Sequence, residues 1–305
     1  MITMEKLCNI CPRNCNINRE KQVGFCRASN KPKVSKVMLH YYEEPPISGE
    51  EETGTLKNGS GAIFFSSCNL KCVYCQNYDI SDGGLGKEIT VEKLADLFKQ
   101  LEDAGANNIN LVTPTHFAEQ IIEALNIYRP KIPIVWNTSG YEKLETIKKL
   151  KDYVDIYLTD FKYMDKSLSK TLSNAENYPD ICKNATLEMK KNQPKDIFEN
   201  GLMKKGLIIR HLVLPTQTKN SLDVINWIYE NLGNETYFSI MSQYTPMSKA
   251  KNMEGFNRQI TPLEYKIAIN KAKNLEFKNV FYQDLESANS IYTPNFKEND
   301  KKFNF

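Results

Sequence analysis

Cys68-Asn69-Leu70-Lys71-Cys72-Val73-Tyr74-Cys75 follows the apolar run Ala62-Ile63-Phe64-Phe65 and two serines. The run reads as a buried strand and the eight residues after the serines as the loop at its exit. Three thiols spaced Cys-x3-Cys-x2-Cys can face one point only if that loop folds around an inorganic core. A cube of four irons usually takes four cysteine thiolates, so a local set of three leaves one iron open to a small chelating molecule. A structural zinc site prefers four closed ligands and paired cysteines, which this set fits poorly. Unligated cysteines packed as small hydrophobes are the remaining alternative.

The chain of 305 residues is long enough for one α/β barrel or two smaller domains. With 41% hydrophobic and 25% charged residues it has the composition of a globular protein with a sizeable core. Forty basic against 37 acidic residues leave a net charge of +3, which points to neither nucleic acid nor a membrane surface as a partner. The lysines around Lys148-Lys149 and at Lys190-Lys191 fall on predicted helices and read as solvated faces. Met1 to Ile10 lacks the basic segment and apolar core of a signal peptide, and no apolar run approaches the ~20 residues of a membrane helix. A cytoplasmic protein is expected, where eight cysteines point to metal rather than disulfides.

Residues 1–55 read as a Cys-rich N-terminal lobe and connector, with Cys8, Cys11, Cys15 and Cys26 in the pattern Cys-x2-Cys-Pro-x2-Cys-x10-Cys. Pro12 restrains the chain between two of the thiols, and Gly24 permits a sharp turn before the last. Four thiols in a short polar segment predict a closed metal site, and zinc, a single iron or an auxiliary cluster all fit the ligand set. A strand-like stretch from Val34 to Tyr42 then leads into Glu43-Glu44-Pro45-Pro46-Ile47-Ser48-Gly49, where the paired prolines predict an extended loop. His40, Glu43 and Glu44 are candidates to contact substrate, against a plain structural or solvated role.

From Gly61 onward short apolar runs alternate with amphipathic helices. Strands are predicted at 62–65, 110–112, 132–136, 154–161, 207–214 and 237–241, with a strand-like 279–283 behind them. Helices are predicted at 91–101, 117–125, 141–150, 221–232 and 262–275; residues 165–193 read as one or two more, and 201–206 as a polar interruption. The alternation predicts an α/β fold, a parallel sheet coiled into a TIM-like partial (β/α)6 barrel over 56–290, followed by a polar, mobile tail at 291–305.

In such barrels the chemistry sits at the C-terminal ends of the strands. Those ends read Thr113-Pro114-Thr115-His116, Asn137-Thr138-Ser139-Gly140-Tyr141, Asp160-Phe161-Lys162-Tyr163, Arg210-His211, Ser242-Gln243-Tyr244-Thr245-Pro246 and Gln283-Asp284-Leu285-Glu286-Ser287. Asp160 and Lys162 share a strand face, so both can point at one ligand or merely pair with each other. Arg210 inside an apolar strand calls for an anion. His116 can simply cap the helix it opens, and Cys182 reads as core.

The cysteine loop with its neighbours, Ser-Cys-Asn-Leu-Lys-Cys-Val-Tyr-Cys-Gln-Asn-Tyr (67–78), resembles the signature of the radical S-adenosylmethionine (SAM) superfamily. Further motifs narrow the likeness to the pyruvate formate-lyase-activating-enzyme branch and its subgroup of uncharacterised iron–sulfur proteins. They are Cys-Asn-Ile-Cys-Pro-Arg-Asn-Cys (8–15), Glu-Glu-Pro-Pro-Ile-Ser-Gly (43–49), Asn-Leu-Val-Thr-Pro-Thr-His (110–116), Asn-Thr-Ser-Gly-Tyr (137–141), Asp-Phe-Lys-Tyr-Met (160–164), Arg-His-Leu-Val-Leu-Pro (210–215) and Met-Ser-Gln-Tyr-Thr-Pro-Met (241–247).

The resemblance implies a [4Fe-4S] cluster on Cys68, Cys72 and Cys75, with S-adenosyl-L-methionine on the open iron. One electron from an external donor such as flavodoxin or ferredoxin would cleave it to a 5′-deoxyadenosyl radical, which abstracts a hydrogen atom from the substrate. It also implies Tyr74 beside the adenine, Asp160 and Lys162 on the cofactor, and Arg210 near it. Two positions depart from the pattern: Thr113-Pro114-Thr115-His116 replaces Gly-Gly-Glu, and Asn137 replaces an aspartate. Thr113, Thr115, Asn137 and Ser139 remain as neutral cofactor contacts at those strand ends. By analogy the substrate is a protein backbone, as in glycyl-radical-enzyme activation; a small-molecule metabolite, or a non-catalytic iron–sulfur carrier, are the alternatives.

Overall fold

A computed structural model describes residues 7–285, 294–297 and 302–305. Glu286 and Ser287 of the last predicted strand end, and residues 291–293 and 298–301 of the tail 291–305, lie outside the described residues.

In chain order the elements are β1 (Lys33–His40), α1 (Pro45–Ser48), β2 (Ser60–Phe65), α2 (Tyr78–Ser81), β3 (Lys87–Glu88), α3 (Val91–Asp103), β4 (Ile109–Val112), α4 (Ala118–Ile127) and β5 (Ile134–Thr138). They continue with α5 (Leu144–Lys149), β6 (Ile156–Asp160), α6 (Lys166–Ser173), α7 (Tyr178–Asn192), β7 (Ile197–Glu199), β8 (Leu202–Leu212), α8 (Thr218–Leu232), β9 (Tyr237–Met241), α9 (Pro262–Asn274) and β10 (Val280–Tyr282). The strands make a ten-stranded sheet ordered β10-β9-β8-β6-β5-β4-β2-β1-β3, with β7 beside β8. From β2 to β10 the path runs parallel. The sheet does not close on itself, as expected of a partial barrel; β1 lies antiparallel on β2 at one side, and β3 pairs with β1. Among the described residues no helix is long and apolar enough to cross a membrane.

The pleat sorts the side chains. One face carries Ile63, Phe65, Leu111, Trp136, Tyr157, Ile209 and Ile240, all buried in the large core beneath the helices. On the other face, toward the lumen, Val135, Ile156, Leu158 and Ile208 surround Ile47 of α1 in a second small core. The connector therefore plugs the N-terminal half of the barrel. Its polar residues fix the plug: Asn108 Nδ2 donates to Ile47 O at 2.7 Å and Asn107 Nδ2 to Ser48 O at 2.9 Å. Gly49, at φ +96°, presses so closely on Thr55 that a Cβ would lie 2.5 Å from its carbonyl carbon.

Three expectations need correction. The paired prolines do not hold an extended loop: Pro45 occupies the first turn of α1, where its missing N–H costs nothing. Residues 201–206 are not an interruption but the turn and first half of β8, paired with β7. Asn200 and Gly201, with φ of +52° and +77°, make the tight turn of that hairpin. The described parts of the tail pack down: Phe296 sits against Phe64 with ring centres 5.5 Å apart, and Phe303 is buried in the main core. Residues 165–193, read as one or two helices, are two, separated at Asn174 in the left-handed region, with Pro179 in the first turn of α7.

Candidate functional site

The cysteine loop leaves β2 through Ser67 and turns again at Lys71, with φ of +77° and +56°. Contacts from across the fold hold it. Asn69 Nδ2 donates to Tyr141 O at 2.8 Å, Val73 N to Leu172 O at 2.9 Å, and Ala250 N to Val73 O at 3.1 Å. Tyr74 is buried with its hydroxyl 2.5 Å from that of Tyr163, which bonds Ser173 Oγ at 2.7 Å. Each thiol meets one donor: Leu70 N lies 3.3 Å from Cys68 Sγ, Ser173 Oγ 3.0 Å from Cys72 Sγ and Ser81 Oγ 3.3 Å from Cys75 Sγ. All three thiols are free. Burial pushes Cys75 up to about 12 and raises Cys68 as well, so ionising them takes a metal cation. Three soft sulfurs, each already supported by a donor, fit an iron–sulfur cluster with an open position.

These thiols line one wall of a cavity of about 230 Å3. The same cavity is lined by Tyr74, Thr113, Asn137, Ser139, Asp160, Lys162 and Arg210, so the parallel strand ends bring these predicted residues together. Thr115 is not with them. Its hydroxyl is buried and donates to Glu142 Oε1 at 2.6 Å, joined there by Thr138 Oγ1 at 2.5 Å and Trp136 Nε1 at 3.1 Å. Burial raises Glu142, and the three donors work against that rise. A carboxylate collecting hydrogen bonds from two strand ends left no mark in the local sequence.

Asp160 and Lys162 are not a surface pair: Lys162 Nζ lies 2.5 Å from Asp160 Oδ2, with both side chains about one-sixth exposed. Arg210 Nε reaches Asp160 Oδ1 at 3.1 Å, Nη1 reaches Glu43 Oε2 at 3.0 Å, and Nη2 donates to Asn137 Oδ1 at 2.5 Å. Burial acts to raise Asp160, but Lys162 and Arg210 overcome it and hold the carboxyl below its usual range. The anion that Arg210 calls for is thus supplied by the protein.

Of the three connector candidates, His40 and Glu43 line the cavity while Glu44 lies buried behind them, 4.0 Å from Arg210. Gln76, Asn77 and Met241 also line it and carried no signal in the sequence beyond their motifs. His116 is buried, with Nε2 2.7 Å from Ser66 O, and burial drives its pKa down to about 3; it is a neutral structural ring. Cys182 is core, as expected.

The four N-terminal cysteines are free and line one small cavity with Ile10, Ile17 and Ala28. Short turns present them: Asn14 N bonds Cys11 O at 3.1 Å and Arg27 N bonds Gly24 O at 3.0 Å. Among the described residues no three Cys, His, Asp or Glu side chains are gathered tightly enough to hold a single ion. Arg13 ties this segment to the cysteine loop, with Nε donating to Asn69 O at 2.8 Å and Nη2 to Ser173 O at 3.2 Å.

Comparison with known proteins agrees with this geometry. Residues 62–228 match the model of the radical SAM superfamily. The uncharacterized protein MJ0674 of Methanocaldococcus jannaschii is 34% identical over 88% of this chain and 75% of its own. The pyruvate formate-lyase-activating enzyme of Clostridium pasteurianum is 25% identical over 64% of this chain and 80% of its own. Among solved structures, Streptococcus suis SuiB bound to S-adenosylmethionine aligns with a TM-score of 0.49 at 14% identity, covering 72% of this chain and 49% of that one. A family model spanning more than half the chain, over the strands that carry the cysteine loop and the ionic network, leads to one conclusion: the protein belongs to the radical SAM superfamily.

Proposed function

We propose that the protein is an oxidoreductase that cleaves S-adenosylmethionine reductively at a [4Fe-4S] cluster on Cys68, Cys72 and Cys75, supplying a 5′-deoxyadenosyl radical that takes a hydrogen atom from its substrate. The observation that carries this reading is that three free thiols and the Lys162–Asp160–Arg210 network open onto the same cavity. In this reading Lys162 Nζ binds the carboxylate of the ligand, and Asp160 fixes the direction of that ammonium. Arg210, already held by Glu43, Asp160 and Asn137, positions Asp160 rather than meeting the ligand itself. Tyr74 packs beside the purine, and Thr113, Asn137 and Ser139 are neutral polar contacts for the rest of the cofactor.

The substrate is a protein backbone, by analogy with glycyl-radical-enzyme activation, reached through the cavity that the thiols and the ionic network share. An external one-electron donor of the flavodoxin or ferredoxin kind supplies the electron, and the N-terminal cysteines hold a second metal centre. Support for that centre is that four free thiols line one cavity, a set better suited to a multi-iron cluster than to a single ion in these positions.

The test is anaerobic purification followed by iron and sulfide analysis, then incubation with dithionite and S-adenosylmethionine. Bound iron and 5′-deoxyadenosine are expected. A folded chain without iron overturns the reading, and a cluster that never yields 5′-deoxyadenosine makes the protein a carrier instead.

A further inference from the structure

We infer that Glu43, carried on the connector that plugs the barrel, is the acceptor for the amino group of the S-adenosylmethionine methionyl moiety, a role that rests on the cofactor reading above. The described carboxylates lining the cavity are Glu43 and Asp160. Asp160 meets a cation at each oxygen, Lys162 at Oδ2 and Arg210 at Oδ1. Glu43 differs. Its Oε2 pairs with Arg210 at 3.0 Å, but its Oε1 accepts only from two neutral amides, Asn110 Nδ2 at 3.0 Å and Asn137 Nδ2 at 3.2 Å. Glu43 Oε1 is therefore the charged oxygen of the cavity wall that faces no cation.

A second observation points the same way. Around the plug, Glu43 and Asp160 stand against Lys162 and Arg210, with Glu44 buried behind them and its carboxyl raised by that burial. Three buried polar atoms beside Glu43 have no hydrogen-bond partner among the described residues: Glu44 Oε2, Asn110 Oδ1 and the cavity-lining His40 Nδ1. His40 and Glu44 are each 8% exposed and Asn110 is fully buried. Buried polar atoms left without partners beside a carboxylate favour a ligand that brings N–H groups and positive charge. The amino end of the methionyl group has both, and Lys162 across the cavity suits the carboxylate on the same carbon. The aspartate replaced by Asn137 is thereby returned in space from a segment nearly a hundred residues earlier in the chain, its oxygen 3.2 Å from the Asn137 amide.

The experiment uses the anaerobically prepared cluster-loaded protein and two probes, S-adenosylmethionine and 5′-methylthioadenosine, which lacks the amino-acid end. Equilibrium dialysis gives their dissociation constants, and the electron paramagnetic resonance of the reduced cluster reports S-adenosylmethionine contact independently. Glu43→Gln is expected to weaken S-adenosylmethionine about ten- to a hundredfold, the range of one charge-assisted hydrogen bond, and to leave 5′-methylthioadenosine unchanged. Adding Asn137→Asp should restore the lost affinity by moving the carboxylate one neighbour over. Equal weakening of both probes, or no weakening of either, overturns the inference. If Glu43→Gln fails to fold, Glu43→Asp, which keeps the charge and shortens the reach, decides: weaker S-adenosylmethionine with unchanged 5′-methylthioadenosine supports the inference, and no selective change sinks it. Failure of the unaltered protein to bind S-adenosylmethionine is a different result and would fall on the cofactor reading itself.

Discussion

The two cysteine groups of this chain are organised in opposite ways. The loop 68–75 is held by tertiary contacts from α2, α6, the segment after β5 and the turn at Ala250, and every thiol already has a donor. The segment 8–26 is shaped largely by its own turns and by residues in the left-handed region, Asn14 and Asn16 among them. Its anchors to the barrel are polar: Arg13 on the carbonyls of Asn69, Ser173 and Asn174, Arg19 on His116 O, Lys143 Nζ on Asn9 O at 3.2 Å and Thr146 Oγ1 on Ile10 O at 2.6 Å. A loop fixed by the whole fold is preorganised for its ligand, whereas a segment with little apolar core depends on its metal to stay ordered.

The strongest way to break this comparison is Cys72→Ala. It should abolish 5′-deoxyadenosine formation and the iron bound by the barrel while the helical circular dichroism and its melting curve stay close to the unaltered protein. Unfolding of the barrel in this variant would show that the loop, too, needs its metal.

Next in size, Arg210→Met should lower stability by about 3 kcal/mol in urea titration, because it leaves Glu43, Glu44 and Asp160 without their shared cation in a largely buried setting. A change near zero would mean that the lumen network contributes nothing to holding the cysteine loop's cavity.

Gly24→Ala sharpens the contrast from the other side. Its added Cβ would stand 2.8 Å from Cys15 Sγ, closer than real contacts allow. The expected result is loss of the N-terminal metal and faster limited proteolysis within residues 8–30, with the barrel's iron kept and global stability moved by no more than ~1 kcal/mol. Equal loss of both metals would tie the two groups together.

The smallest effect is an acid transition remote from both. Arg258 holds the Glu264 carboxyl down to about 2, against an ordinary value of 4.5, and Glu264 also closes the capping box of α9 with Thr261. A depressed acid stabilises the fold above its unfolded pKa and loses that contribution as pH falls toward its folded value. Between pH 4.5 and 2 the stability gap between the protein and its Glu264→Gln variant should therefore narrow. A gap that widens on acidification would show that the pairing does not form.

Much of the fold could be read from local sequence. The apolar runs at period two and the stripes of α3 and α8 named the parallel strands and their crossover helices, since both patterns follow from which face each side chain buries. The β7–β8 hairpin was missed: Asn200-Gly201 carries a turn signal, but residues 201–206 with their bounding glycines read as a break until the turn geometry was in view. Phe296 and Phe303 in a polar tail show the limit of composition: two aromatic anchors suffice to pack a segment whose average is hydrophilic.

What sequence alone determined here is whatever sits within one loop or one period. The three thiols of 68–75 fall within eight residues, so their spacing already requires a common centre, and Asp160 and Lys162 stand two apart at the end of β6, close enough to pair. Only tertiary structure decided how the charges are shared out. Glu43 meets Arg210 across 167 residues of chain, and Thr115 turns from the cavity to a carboxylate 27 residues on. No local rule encodes such partners. They are selected when the sheet curls around the plug and each buried polar group must find the nearest charge or donor that burial leaves it.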